Sequence, residues 1–320
     1  MFISIIIPTL NSAETVQNTL RTIFSNDFPQ DSYEVIVVDN GSSDATETTA
    51  RSFPVSFLKC SKRGQGPARN LGLRNAKGDI ICFTDSDTLI PKNWLGKISG
   101  FLQENPAVDG VGGIVLPPKG ENRNSMRRIV GEIYVERQGF PAVPTRTQYL
   151  KYQGSLYSAN SAYRKETLDA CNGFDESLWN HYYYHDSCDI DLSWRLVKMG
   201  KSLLFNPNIR VYHPAPWNLQ GIFKQLFGWG AVYTMIRKKH GLHSNLQEKL
   251  WPFHYIAKSL FSMALALLLS KPRKRLVGIF YLSSFNLGRI VGYQRWKKER
   301  VASEVHANQG TSETTRAEQN

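Results

Sequence analysis

Cysteine is scarce and scattered: the four, Cys60, Cys82, Cys171 and Cys188, form no Cys-x-x-Cys pair. That excludes a zinc ribbon or a disulfide framework and points to a reducing, cytoplasmic setting. Acidic residues are outnumbered, 27 against 39 basic ones, for a net charge of +12. Such a surplus favours phosphorylated substrates, anionic lipid or nucleic acid. Nucleic acid is the poorest fit, because the basic residues cluster around apolar stretches and do not interleave with an aromatic platform. The first apolar run is followed by no Gly-x-Gly-x-x-Gly, and no Walker A loop occurs; a dinucleotide fingerprint and a P-loop are both excluded. No internal repeat is present. Phe2–Ile7 lacks a basic flank and stops at Pro8, so it reads as a first strand and not as a leader.

What is present is a core-forming chain of 320 residues, 41% hydrophobic, long enough for one large domain or two. Ile3–Ile7 is a continuous β-branched run, as expected of a central parallel strand. Asn11 or Ser12 can cap the helix that follows, with Glu14 in its first turn and Val16, Leu20, Ile23 and Phe24 on its sheet-facing side. Further strands are expected at 34–38, 55–58, 78–83, 108–116 and 155–163, with short ones at 202–205 and 209–212, and a helix carrying Trp94, Leu95, Ile98, Phe101 and Leu102. This alternation predicts a parallel, doubly wound α/β sheet with helices on both faces and ligand at the carboxyl ends of the strands.

Charges collect where those strands should end. Asp39 closes the second strand before Asn40-Gly41-Ser42-Ser43-Asp44. Lys62-Arg63-Gly64-Gln65-Gly66-Pro67-Ala68-Arg69-Asn70 combines glycines for close backbone approach with a basic helix start, a diphosphate-facing pattern. Asp85-Ser86-Asp87 follows Ile80–Phe83; two carboxylates one residue apart can hold a divalent cation, and Asp and Ser are equally ordinary turn formers. Independent turns have no reason to place these charges on one edge.

Together, Pro8-Thr9-Leu10-Asn11 with Glu14, Val37–Asp44, Gly66–Asn70 and Asp85-Ser86-Asp87 resemble the family 2 glycosyltransferases of GT-A fold, over about residues 2–215. The resemblance implies that Asp39 contacts the nucleotide base while Pro8, Thr9, Asn11 and Glu14 line its pocket. It places Arg69 and Asp85 against the sugar-nucleotide and Asp87 on the metal, Mn²⁺ or Mg²⁺. Ser158-Ala159-Asn160 is similar to the family's segment beneath the acceptor, so Ser158, Asn160 and Asp191 are expected on the acceptor side. Cys188-Asp189-Ile190-Asp191-Leu192 resembles the family's Glu-Asp-x-Asp-Leu, with Asp189 as catalytic base and Cys188 in place of the first acid; Asp186 and Asp191 leave the register open. Helix capping and an Asp191–Arg195 surface pair are the plain alternatives. His213 is either a structural histidine or, as in some family members, a further metal ligand.

The expected activity is therefore that of a hexosyltransferase-type enzyme, EC 2.4. It would move a sugar with inversion from a nucleotide-diphosphate donor to a hydroxyl of a glycan or lipid-linked acceptor, as in polysaccharide and cell-envelope biosynthesis. The alternative is a non-catalytic sugar-nucleotide or glycan-binding module, for which Cys188 is the only support. A nucleotidyltransferase would want a Gly-rich basic first loop, which Pro8–Asn11 is not. Residues 1–216 are assigned to the GT-A domain, 217–300 to an apolar and basic helical region, and 301–320 to a disordered tail. Residues 117–152 are read as either a lid or an excursion, with 132–137 helical. The apolar runs 253–269 and 276–293 flank the basic loop 271–275; basic linkers on every side suit an anionic membrane surface, at the inner face of the cell membrane, better than a spanning hairpin, and a soluble helical subdomain or a dimer interface is the plain alternative.

Overall fold

The computed structural model describes residues 1–118, 144–147, 155–178, 188–214, 219–241 and 283–294. Expectations for 132–137, 185–186, 253–269, 271–275 and 301–320 lie outside these residues. The chain divides into two compact units, Met1–Ile222 and Phe223–Asn320.

The first unit is built on β1 (Ile3–Thr9), β2 (Tyr33–Asp39), β3 (Ser56–Lys59), β4 (Ile80–Phe83), β5 (Gly110–Leu116), β6 (Thr145–Arg146), β7 (Ser161–Arg164) and β8 (Leu203–Tyr212). They form one sheet in the order β3-β2-β1-β4-β7-β5-β8-β6. Every residue of β1 is buried, which is why its sequence does not alternate. The side chains of Ile3, Ile5 and Ile7 pack with Val16, Leu20 and Ile23 of α1 (Ala13–Phe24) and with Trp94, Leu95, Ile98 and Leu102 of α4 (Trp94–Glu104). Ile6 points the other way, against α3 (Gln65–Asn75), where a Cβ on Gly72 would stand 2.5 Å from Ile6 Cγ2. The helices therefore cover both faces, as the pattern predicted. The remaining helices of this unit are the short α2 (Thr46–Arg51) and α5 (Lys165–Ala170), and α6 (Cys188–Lys198).

The sheet is mixed, not wholly parallel. β1, β2, β3 and β4 are parallel, but β7 runs antiparallel between β4 and β5. The 3-10 turn Ser158–Asn160 lies at the edge where β4 ends, since Phe83 pairs with Ser161. A strand entering from that edge has to run backwards. The expected strand 155–163 is correspondingly shortened. The two short strands expected at 202–205 and 209–212 are one strand, β8, parallel to β5. Its register jumps from Gly112↔Phe205 to Ile114↔Arg210; Pro207 has no N–H to give a ladder and sits in the excursion. Asn160 fills this irregularity. Its amide donates to Ile114 O at 3.0 Å and Ile209 O at 3.2 Å, and its oxygen accepts from Trp94 Nε1 at 2.8 Å.

In the second unit, α7 (Leu219–Lys239, entering from the first) meets a helical stretch at 283–294. A Cβ at Gly230 would fall 2.0 Å from Phe285 O and one at Gly288 1.9 Å from Phe227 O, so only glycine lets the backbones touch. Asn286 and Arg289, which interrupt the apolar run in sequence, turn inward: both are buried, with Arg289 Cζ 5.4 Å from the Tyr233 ring. Among the described residues no helix is long and apolar enough to cross a membrane.

Candidate active site

The parallel strands put Thr9, Asp39, Lys59 and Phe83 at one edge, and β8 delivers Tyr212 there too. The loops leaving that edge are tied in a continuous series. Asp39 accepts from the Ser42 amide and hydroxyl. Ser42 Oγ accepts from Asn11 N at 2.8 Å, and Asn11 Oδ1 accepts from Ser43 N at 2.9 Å. Asn11 holds φ +49°, a left-handed conformation that Asn tolerates better than most. Ser12 N bonds Thr46 Oγ1 at 2.8 Å and Ala13 N bonds Asp44 Oδ2 at 3.1 Å, so the 42–46 loop caps α1 in place of its own N-cap side chain. Exposed Glu14 lies in the turn thus fixed. Pro8 and Thr9 are buried at the end of β1, and Thr9 Oγ1 has no partner among the described residues. An open cavity of about 330 Å³ adjoins Asp39, between Ser42 and Asp44 on one side and Cys60 and Ser61 on the other.

Ser86 Oγ donates to Ser12 Oγ at 2.9 Å, fastening the Asp85–Asp87 loop to the start of α1. A two-residue bridge, Leu89 with Tyr212, draws the end of β8 against the same loop. His213 follows at once. Its Nε2 lies 3.0 Å from Asp87 Oδ1 and 3.7 Å from Asp85 Oδ2, while its Nδ1 faces Pro214 O at 2.9 Å. Burial pushes its pKa down, but the carboxylates of Asp87 and Asp85 outweigh it and hold the imidazole up to about 9.

On the other side of Asp85 stands Arg69, 1% exposed. Its guanidinium donates to Asp85 Oδ1 at 3.2 Å, to Gln65 Oε1 at 3.1 Å and to Cys188 Sγ at 3.3 Å, and lies 5.5 Å from the Phe174 ring centre. Asn70 holds Phe174 in place, accepting from its N–H at 2.8 Å and donating to its carbonyl at 2.9 Å. Cys188 opens α6, so Asp189 is the next residue. Its Oδ2 accepts from Ser158 N at 3.1 Å and Ser158 Oγ at 3.4 Å.

Thus Asp39, Arg69, Asp85, Asp87, His213, Ser158 and Asp189 belong to one chain of contacts. Two residues expected on the acceptor side are placed differently. Asn160 is fully buried and consumed by the β5–β8 irregularity. Asp191 is fully buried and paired with Arg195 Nε at 2.8 Å, not on the surface; Arg195 in turn holds the carbonyls of Cys171 and Gly173. Both side chains are engaged in contacts within the fold. Gln65 and Asn70, which the motif assigns no role of their own, join the site by bracing Arg69 and Phe174. Gln65 stands one helical turn from Arg69, and that spacing was the available signal.

The donor set suits a divalent cation. Two carboxylates and an imidazole are oxygen and nitrogen ligands for Mn²⁺ or Mg²⁺, and a His Nδ1 facing a backbone carbonyl leaves Nε2 for a metal. Among the described residues no three such side chains are close enough to hold a metal by themselves. Such ions are commonly held by one or two protein ligands together with substrate phosphates, so the pair of Asp87 and His213 fits.

A mixed sheet of this order, with an Asp-x-Asp loop at its ligand edge, defines the GT-A fold of the nucleotide-diphospho-sugar transferases. The fold is shared with a mannosyltransferase of Pyrobaculum calidifontis in complex with GDP-mannose and Mn²⁺, at TM-score 0.63 and 19% identity over 90% of this chain and 86% of that one. The profile of glycosyl transferase family 2 matches residues 4–170, and the chain belongs to that family. It is similar to glycosyltransferase AglE of Haloferax volcanii, 38% identical over 124 residues, which are 36% of this chain and 39% of that relative. It is also 25% identical over 259 residues to the dolichyl N-acetyl-α-D-glucosaminyl phosphate 3-β-D-2,3-diacetamido-2,3-dideoxy-β-D-glucuronosyltransferase of Methanococcus voltae, over 74% of each chain.

Proposed function

We propose that the protein is an inverting, metal-dependent glycosyltransferase, acting from a nucleotide-diphosphate sugar on a hydroxyl of a glycan or lipid-linked acceptor. The observation that supports this best is the run Asp87–His213–Asp85–Arg69–Cys188, which leads from a cation-suited pair directly to Asp189.

Asp189 takes the proton of the acceptor hydroxyl onto a carboxylate oxygen, and the Ser158 amide fixes the direction of that carboxylate. The acceptor oxygen bonds to the anomeric carbon from the face opposite the leaving group, and the bond to the diphosphate breaks with its electron pair. Arg69, desolvated and braced by Asp85 and Gln65, lends its fixed positive charge to the departing diphosphate. Asp87 and His213 would hold a divalent cation, which would supply further neutralisation of that charge. Asp39 reads the base, with Pro8, Thr9, Asn11 and Glu14 around it. Residues 1–216 form the catalytic domain in this reading.

Residues 217–300 are assigned to attachment at the cytoplasmic face of an anionic membrane. α7 ends in the basic run Arg237-Lys238-Lys239, of which Lys239 is exposed, and the chain carries +12 overall. The glucuronosyltransferase relative, named for a dolichyl-phosphate-linked acceptor, supports an acceptor of that class here. The decisive experiment is a transfer assay with Mn²⁺, preceded by melting shifts with UDP, GDP and TDP sugars. Transfer or donor hydrolysis supports the enzyme. Binding with neither identifies a non-catalytic module.

A further inference from the structure

Asn40 is the tie between the two walls of the cavity beside Asp39. One wall, with Asp39, Ser42 and Asp44, comes from the end of β2. The other, with Lys59, Cys60 and Ser61, comes from the end of β3. β2 and β3 are paired as far as Asp39 and Lys59, and a last backbone bond, Cys60 N to Asp39 O at 2.7 Å, ends the ladder at the foot of the two walls. Asn40 takes over there. It is 6% exposed, and its amide nitrogen donates to Lys62 O at 2.8 Å and Cys60 O at 3.4 Å. Its amide oxygen accepts from Gly64 N at 2.7 Å. Its own backbone N–H bonds Thr9 O at 2.9 Å, anchoring it to β1. One side chain therefore brackets Ser61 and fixes Gly64, the residue at φ +126° from which α3 starts toward Arg69.

The geometry points to Asn40 as a positioning residue for the nucleotide half of the donor, a role that rests on the transferase reading above. The bonding pattern needs an amide. Asp has the same shape but offers only acceptors, which would face the carbonyls of Cys60 and Lys62. The loop would then be released and the cavity widened, without loss of any group that touches the reacting atoms.

The test compares wild type with Asn40→Asp, by calorimetry with UDP and GDP in Mn²⁺ and by steady-state transfer. Loss of two neutral hydrogen bonds predicts an affinity about tenfold weaker for the preferred nucleotide, a donor KM raised in step, and kcat and acceptor KM within about twofold of wild type. A folded Asn40→Asp variant with unchanged donor affinity overturns the role. A fall in kcat alone overturns it as well. Amide hydrogen exchange on the nucleotide-free wild type gives a reading independent of any variant's folding. The Gly64 amide is protected if the tie is preformed, and exchange at the rate of an open loop overturns it. Wild type that binds no nucleoside diphosphate at all instead sinks the underlying transferase reading.

Discussion

His213 Nε2 meets Asp87 Oδ1 at 3.0 Å, although one follows β8 and the other follows β4. The meeting depends on the Leu89–Tyr212 bridge, with N–O distances of 2.7 and 3.0 Å, and on His213 N bonding Leu116 O at 2.8 Å. Backbone pairing, not side-chain attraction, brings the imidazole to the Asp-x-Asp loop. His213→Ala and Asp87→Ala should therefore each leave the fold intact and weaken Mn²⁺-dependent nucleotide binding at least about tenfold, the lower end of what disturbing a metal's support does. Calorimetry with and without Mn²⁺ checks this. Equal nucleotide affinity in wild type and both variants would remove them from the metal site.

Asp189→Asn keeps the shape of the carboxylate and its place beside Ser158 but gives up the proton-accepting charge. The expected loss in kcat is ~10²–10⁴-fold. Affinity for the nucleoside diphosphate should stay within about twofold, because the proposed contacts to the diphosphate run through Arg69 and not through Asp189. Single-turnover transfer with the variant, alongside calorimetry, separates the two. Turnover at the wild-type rate would mean that the proton goes elsewhere.

How far the sequence carried follows a physical division. β1 was legible because a strand buried on both faces is apolar throughout, and Asp39, Arg69, Asp85 and Asp87 because charges at the ends of parallel strands must share an edge. The reversal of β7 was not legible, since strand direction is set by the edge at which the chain re-enters and leaves no mark in four residues, Ser161–Arg164. The roles of Asn160 and Asp191 were hidden for a related reason. A polar residue in a motif looks the same whether it faces a ligand or, like Asn160, occupies a register jump between β5 and β8. Asn40 carries no mark of its role in the sequence, because its partners come from a loop twenty residues away.

Acid stability should reveal a carboxylate far from the transfer chemistry. Asp109 is pushed up by burial, but the Ser202 amide at 2.7 Å, Lys201 at 3.2 Å and the Thr167 hydroxyl at 3.1 Å outweigh it and hold its pKa below the usual 3.8. A depressed folded-state pKa means that the stabilisation is fully present above about 3.8 and is lost as pH falls through the lower folded value. Glu176, held down by Lys62 and then Asn70, acts in the same direction below its usual 4.5. The melting temperature should hold between pH 5 and about 6.5, above which the raised His213 begins to lose its own contribution, and fall towards pH 3. Asp109→Asn should lower it at neutral pH and flatten the fall. Parallel curves for the two proteins would show that Asp109 carries none of the dependence.

Two glycine substitutions should move stability in opposite directions. A Cβ on Gly113 would stand 1.9 Å from Ile209 O and 2.7 Å from Asn160 Nδ2. Neither neighbour can give way, since Ile209 O is backbone and Asn160 is held by Ile114 O, Ile209 O and Trp94. Gly113→Ala must push β5 off β8 at the register jump, at a cost of about 1–3 kcal/mol. A Cβ on Gly96, exposed in the first turns of α4, would meet nothing within 4 Å. There alanine removes only the backbone freedom of the unfolded chain and should stabilise by roughly 0.5–1 kcal/mol. Denaturant unfolding of the two variants beside wild type reads both signs. A Gly113→Ala protein as stable as wild type would mean that β5 and β8 do not approach as closely as the Asn160 bonds require.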